Sequence, residues 1–301
     1  MLLYKIKIHN KDLLFDIQRM IRVKIFSDFC NSKVAKEVYE KICDASNLDF
    51  YGKDKQVWIT EDDDYTHAII MNKAMPVLKI PKKNVVGLAF EPFEYLKLTP
   101  EFIQYAQHHI GKYFIGDKRR LPEPFIEHFG YMWYSNPKRD ILKKTKILSI
   151  VVSEKYWTPG QKYRHDLIDK IIEAKLPIDI YGRGSMKYAH KSNNVKGEFN
   201  DAEPYEDYMY SICIENFSEN HYFSEKIMTP MLYNCMPIYI GCKQINTYFD
   251  DIIPLSGNIS YDIELLADVF KPPGLFYRKT YTEKNRNTVS LLNNIHKIFD
   301  V

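Results

Sequence analysis

An α/β chain built on parallel sheets is the fold class this sequence predicts, and three observations carry it. In the second half, continuous apolar runs alternate with helical patterns: ILSIVV at 147–152, a helix at 162–175, PIDIYG at 177–182, SICIEN at 211–216, a helix at 224–234 and PIYIG at 237–241. Such alternation gives βαβ units, and runs apolar on both faces are strands buried from both sides. A weaker series of the same kind fills the first half, so the 301 residues make two domains at about 150 residues each.

Element by element, RVKIFSDF (22–29) reads as a strand and 33–44 as a helix with Val34, Val38, Tyr39 and Ile42 on one face. Strands are expected at 55–60, 66–72, 84–90 and 112–116. A helix over 100–110 starts from a Thr99 cap with Pro100 at its first position. The charged stretch 136–146 is expected as linker, which puts domain one at 1–140 and domain two at 141–301, with the C-terminal helix free to pack back on domain one. In the second half, Leu167, Ile168, Ile171 and Ile172 face inward, Pro230 should kink or weaken its helix, and 262–270 and 281–299 are terminal helices.

Composition excludes several classes. Apolar residues are 45% and charged residues 27%, ordinary for a globular chain. The net charge of +3 gives no field for nucleic-acid binding. The five cysteines include no CxxC pair and read as reduced core thiols. No signal peptide or apolar run of about 18 residues is seen, so no membrane span is expected, and the expected location is cytoplasmic, or host cytoplasm for a viral source. The 12 glycines fall well below the usual share of about 7%, which argues against folds that rely on several Gly-rich loops.

Candidate chemistry sits at the carboxyl ends of the second-half strands, where parallel sheets bind ligands. Those ends carry Ser153, Gly182-Arg183-Gly184, Glu215-Asn216 and Gly241. Ser224 can cap the following helix and put Glu225 and Lys226 in its first turn, where free N–H groups favour an anion. Taken alone, that triplet is better explained by plain helix capping.

The segment YSICIENFSENHYFSEKIMTPMLYNCMPIYIG (210–241) resembles the signature of the α-1,3-fucosyltransferase family, glycosyltransferase family 10. Glu215-Asn216, Tyr222, Ser224-Glu225-Lys226, Pro237 and Gly241 match in order. Upstream, Arg164 matches the family's phosphate-binding arginine, and Glu91 in GLAFEPFEY (87–95) its proposed catalytic base. The resemblance implies a GT-B-like architecture, two Rossmann-like domains with parallel sheets facing across a cleft. It implies an inverting glycosyltransferase that moves a sugar, fucose from GDP-fucose in the typical case, to a hydroxyl of a glycan or glycoconjugate, as in protein glycosylation. Glu91 would be the base; Arg164, Asn216, Tyr222, Ser224, Glu225 and Lys226 would bind the donor, with Tyr181 and Arg183 as further donor contacts. No cofactor or metal is required on this view. The family's usual Ser after Glu-Asn is Phe217 here, which bears on the donor-sugar pocket. With no anchor or disulfide pattern, the chain resembles the soluble bacterial or viral type. The acceptor would be read by loops such as 91–98 and 117–128.

Other signals are weaker. The acidic run Glu61–Asp64 contains an Asp-x-Asp of the kind that binds a divalent cation, but charge runs in loops are ordinarily solvated. The Gly-x-Gly at 182–184 lacks the third glycine of a dinucleotide fingerprint. His108 and His109 are adjacent in a helix and point about 100° apart, poor joint ligands. No P-loop or G-x-S-x-G is present. A glycan- or nucleotide-binding protein without turnover, or a transferase using another nucleotide sugar, are the alternatives.

Overall fold

The computed structural model describes residues 20–42, 48–131, 143–271 and 283–301. The N-terminal segment before residue 20, Cys43, the expected linker up to 142 and the start of the last helix lie outside them. The chain divides into two compact units. One comprises Met1–Ile126, Gly130–Ser135 and Ser290–Val301; the other comprises Glu127–Phe129 and Asn136–Val289.

Strands β1 (Ile21–Ser27), β2 (Val57–Thr60), β3 (His67–Met71), β4 (Val85–Leu88), β5 (Lys112–Ile115) and β6 (Phe125–Glu127) form a six-stranded sheet in the order β2-β1-β3-β4-β5-β6, which belongs to the first unit except for Glu127. The pairings of β1 with β2 and β3, of β3 with β4 and of β4 with β5 are parallel. Helix α1 (Ser32–Ile42) follows β1, α2 (Phe93–Leu96) follows β4, and α3 (Pro100–His109) leads to β5. Thr99 caps α3, its hydroxyl accepting the Phe102 N–H at 3.3 Å. In α1 the buried stripe is Ala35 and Tyr39, one turn apart, and Val34 is exposed. The expected face is thus rotated by one residue: a small alanine lets the helix lie close, and a β-branched valine is left outside.

The second sheet contains β7 (Lys146–Val151), β8 (Asp179–Tyr181), β9 (Val195–Gly197), β10 (Tyr208–Ile214), β11 (Met236–Ile240) and β12 (Ile253–Pro254). Its order is β12-β11-β10-β7-β8-β9, and each pairing is parallel. The chain winds outward from β7 through β8 to β9, returns to the middle at β10 and winds outward again to β12. That is the doubly wound order with its switch point between β7 and β10. Helices α4 (Pro159–Glu173), α5 (Glu225–Leu232) and α6 (Ile259–Asp268) flank it, and Leu148, Ile150, Leu167, Ile168, Ile212 and Ile238 form its core.

Several boundaries shift for local reasons. Helix α4 begins at Pro159 rather than 162, because Thr158 and Gln161 make a reciprocal capping box. Residues 144–146 are not linker: the half-buried Lys144 ammonium donates to the carbonyls of Tyr205, Glu206 and Tyr233 at 3.0, 2.8 and 2.6 Å, tying the chain to unit two. Pro230 lies inside α5, which ends two residues later at Leu232. The expected helix 281–299 is two helices, α7 (Glu283–Val289) and α8 (Ile295–Phe299), and the break at Ser290 coincides with the return to unit one.

Candidate active site at the switch point of the second sheet

Two close approaches draw the elements of this site together. Gly160, in the first turn of α4, donates its N–H to the Asn216 carbonyl at 3.1 Å, and a Cβ there would lie 1.7 Å from the Glu215 carbonyl oxygen. Gly241, just after β11, leaves room for the Glu215 side chain, whose Cγ would be 2.4 Å from a Cβ. Scarce glycine is spent where backbones touch around Glu215.

Glu215 follows β10 and extends its ladder, its N–H donating to the Ile240 carbonyl at 3.0 Å. Its carboxylate has no exposed side-chain surface. It accepts the Ser224 N–H at 2.8 Å and the Ser224 hydroxyl at 2.7 Å, and Lys226 Nζ stands 3.7 Å away. Ser224 is the N-cap of α5, and its hydroxyl also accepts the Lys226 N–H at 3.3 Å and Lys226 Nζ at 3.0 Å. That uses the one donor and both acceptor sites of a serine hydroxyl. Lys226 Nζ donates a further bond to Glu225 at 2.9 Å. Arg164 lies in the second turn of α4, buried, with its guanidinium donating to the Ile214 carbonyl.

The four charges set one another. Burial pushes the Glu215 carboxyl up, and Lys226 and the Ser224 bonds offset this only in part. For Lys226, burial works against the charge, but the Glu215 and Glu225 carboxylates outweigh it and hold the pKa above its ordinary value. Desolvation raises Glu225, and the neighbouring ammonium overcomes it, leaving the carboxyl below its usual range. Burial lowers Arg164, opposed by Glu215 and Glu225. Two cations and two carboxylates therefore converge where the dipole of α5 is positive.

Arg164, Asn216, Ser224, Glu225 and Lys226 are thus brought together. Tyr222 is buried two residues before the cap. Tyr181 is elsewhere: its ring packs in a small core with Tyr205, Tyr208 and Cys235, and its hydroxyl pairs with the Tyr208 hydroxyl at 2.8 Å. Arg183 is exposed and faces Glu198 at 3.8 Å. Glu91 stands exposed at the carboxyl end of β4, in the first unit. The acidic run follows β2, with Asp63 and Asp64 paired to Lys24 and Arg22. Among the described residues no group of three His, Cys, Asp or Glu is placed to hold a metal, and no helix is long and apolar enough to cross a membrane.

Sequence reasoning gave Glu215 no role beyond marking a motif. Its signal was an acidic residue ending an otherwise apolar strand, and only burial reveals it as the anchor of the cap. His165 was also missed: in α4, beside Arg164, its ring bonds the Tyr188 hydroxyl at 2.8 Å and the Ser153 carbonyl at 3.0 Å. A carbonyl only accepts, so Nε2 carries the proton and the ring pins the end of β7.

Residues 141–262 match the family model described as glycosyltransferase family 10 (fucosyltransferase), C-terminal. No curated protein matches the sequence. Among solved structures, an alpha1,3-fucosyltransferase with GDP is 13% identical over 93% of this chain and 90% of that one, TM-score 0.49. The same enzyme type with GDP-fucose is 14% identical over 94% and 91%, TM-score 0.48. The pneumococcal O-GlcNAc transferase GtfA with UDP and GlcNAc is 13% identical over 77% and 55%, TM-score 0.46.

Proposed function

We propose that the protein, whose residues 141–262 match the family model of glycosyltransferase family 10, is an inverting glycosyltransferase that moves fucose from GDP-fucose to a hydroxyl of a glycan. The observation that carries this reading is the gathering of Arg164, Ser224, Glu225 and Lys226 around buried Glu215 at a doubly wound switch point. Crevices of that kind take nucleotide phosphates at helix N-termini.

In this mechanism the diphosphate of the donor lies against Arg164 and Lys226, with Lys226 exchanging its Glu225 partner for a phosphate oxygen. Glu225, an acceptor-only group once ionised, takes hydrogen bonds from the ribose hydroxyls. Asn216 and Tyr222 contact the donor. Glu91 removes the proton from the acceptor hydroxyl as that oxygen attacks the anomeric carbon. The new C–O bond forms on the face opposite the leaving group, so the configuration inverts as the sugar–phosphate bond breaks. Arg164 and Lys226 stabilise the charge that develops on the departing GDP. No metal or cofactor enters a step.

The test is a nucleotide-sugar panel with mass detection of transfer and hydrolysis, run beside thermal shifts with GDP and UDP. Turnover of GDP-fucose with stabilisation by GDP is expected. Absence of a shift with every nucleotide would sink the transferase reading in favour of a glycan-binding protein of the same fold. Glu91→Gln should lower turnover by about 10²–10⁴-fold and leave GDP binding unchanged; turnover at the wild-type rate would remove Glu91 as the base.

A further inference from the structure

Between Asn216, just past β10, and the Ser224 cap of α5, residues 217–223 lie in neither helix nor strand. On one side the backbone of this loop is tied to the turn after β11. The Ser218 hydroxyl donates to the Gly241 carbonyl at 2.7 Å, and the Glu219 and Asn220 carbonyls accept the Lys243 and Gln244 N–H groups at 2.8 and 3.0 Å.

The other ties run to Glu127–Phe129, three residues that belong to the second unit but precede the family match at 141–262. Asn220 donates its side-chain amide to the Glu127 carboxylate at 2.9 Å, and His221 Nε2 stands 3.8 Å from the same oxygen. Nδ1 of that ring bonds the Tyr248 hydroxyl at 2.6 Å. A hydroxyl that donates to Nδ1 leaves the proton of a neutral ring on Nε2, the nitrogen that faces Glu127. Phe223 stacks on Phe129 with centroids 4.8 Å apart, and Tyr248 meets the two rings at 5.1 and 4.9 Å. These three rings are buried, whereas the Glu127 and His221 side chains are half-buried. Apolar packing supplies cohesion without direction. The directional bonds to Glu127 and Tyr248 set where the loop stands.

We propose that Glu127 is a positioning residue for the donor: by holding Asn220 and His221 it fixes the 217–223 loop in the form that presents Asn216 and Tyr222 to the nucleotide. A loop that is competent only part of the time lowers apparent affinity by that fraction. Glu127 keeps the fraction high, and Tyr248 orients the imidazole that faces it. The inference deepens the transferase reading and rests on it for one point, that the ligand of this loop is a nucleotide.

Amide hydrogen exchange and isothermal titration of GDP, both on the full chain, test the proposal together. Glu127→Ala should speed exchange in 217–223 about tenfold, leave β7 and β8 protected, and weaken GDP binding about tenfold. Protection in β7 and β8 also reports that the variant folds. Glu127→Gln keeps an oxygen for the Asn220 amide and should recover most of the affinity. Glu127→Ala combined with His221→Ala should bind GDP no more weakly than the weaker single variant, because the two residues act as one latch. Wild-type affinity or wild-type loop exchange in Glu127→Ala, no recovery in Glu127→Gln, or additive losses in the double variant overturns the proposal. Faster loop exchange in Glu127→Ala with no GDP binding even to the wild type leaves Glu127 as the residue that fixes the loop and removes the nucleotide reading; GDP binding that is indifferent to Glu127→Ala does the reverse.

Discussion

Glu215 is where a single residue organises the most. Its carboxylate satisfies the cap of α5, and the cap in turn positions Lys226. Glu215→Gln keeps the shape but turns an amide donor toward one of two Ser224 donors and removes a charge facing Lys226. It should cost about 1–3 kcal/mol of stability, read as a lower urea midpoint, and should also weaken GDP binding. An unchanged midpoint would mean that the carboxylate is not the anchor. Motif spacing brought Arg164, Asn216, Ser224, Glu225 and Lys226 into view because the family signature is local in sequence. The role of Glu215 and the doubly bonded His165 were hidden, because burial and partners such as Tyr188, 23 residues from His165, are tertiary facts. Tyr181 shows the same limit: its strand-end position was legible, and the Tyr208 hydroxyl that occupies it was not.

At the scale of elements, α4 and β10 meet through Gly160. Gly160→Ala puts a methyl group into the Glu215 carbonyl, so α4 must shift and carry Arg164 with it. A loss of about 1–3 kcal/mol is expected in thermal melts, with weakened GDP binding; a full-strength GDP shift in a destabilised variant would separate the helix position from the site. The Thr158 capping box was written in the sequence as T-P-G-Q, and it sets the start of α4 that hydrophobic periodicity put three residues late. A different contact gives a pH signature. His67 in β3 packs edge-on against Phe299 of α8 at 4.8 Å, and burial pushes its pKa down to about 4 from 6.5. The folded state therefore binds fewer protons than the unfolded chain between those values. Stability should fall as pH drops from 6.5 toward 4, and His67→Gln should flatten that part of the Tm profile; an identical profile in the variant would contradict it.

At the scale of the molecule, alternation of strands and helices announced parallel sheets, but not strand order. Order depends on where β3 and β10 return, and nothing local in those strands encodes which neighbour they join. The two cores are separate, one built on β3, β4 and β5 and the other on β7, β8, β10 and β11. Calorimetry should accordingly resolve two transitions, with GDP raising the one that belongs to the second unit. Removal of Ser290–Val301, which clusters with unit one, should lower the other; a single transition lowered as a whole would show that the units unfold together. The central claim is that the cluster at the β7/β10 switch point holds a nucleoside diphosphate. Isothermal titration of GDP into the wild-type chain and Lys226→Ala tests it most directly. The account predicts binding to the wild type and an affinity about 10–100-fold lower in the variant; no heat of binding to the wild type, or equal affinities, would contradict it.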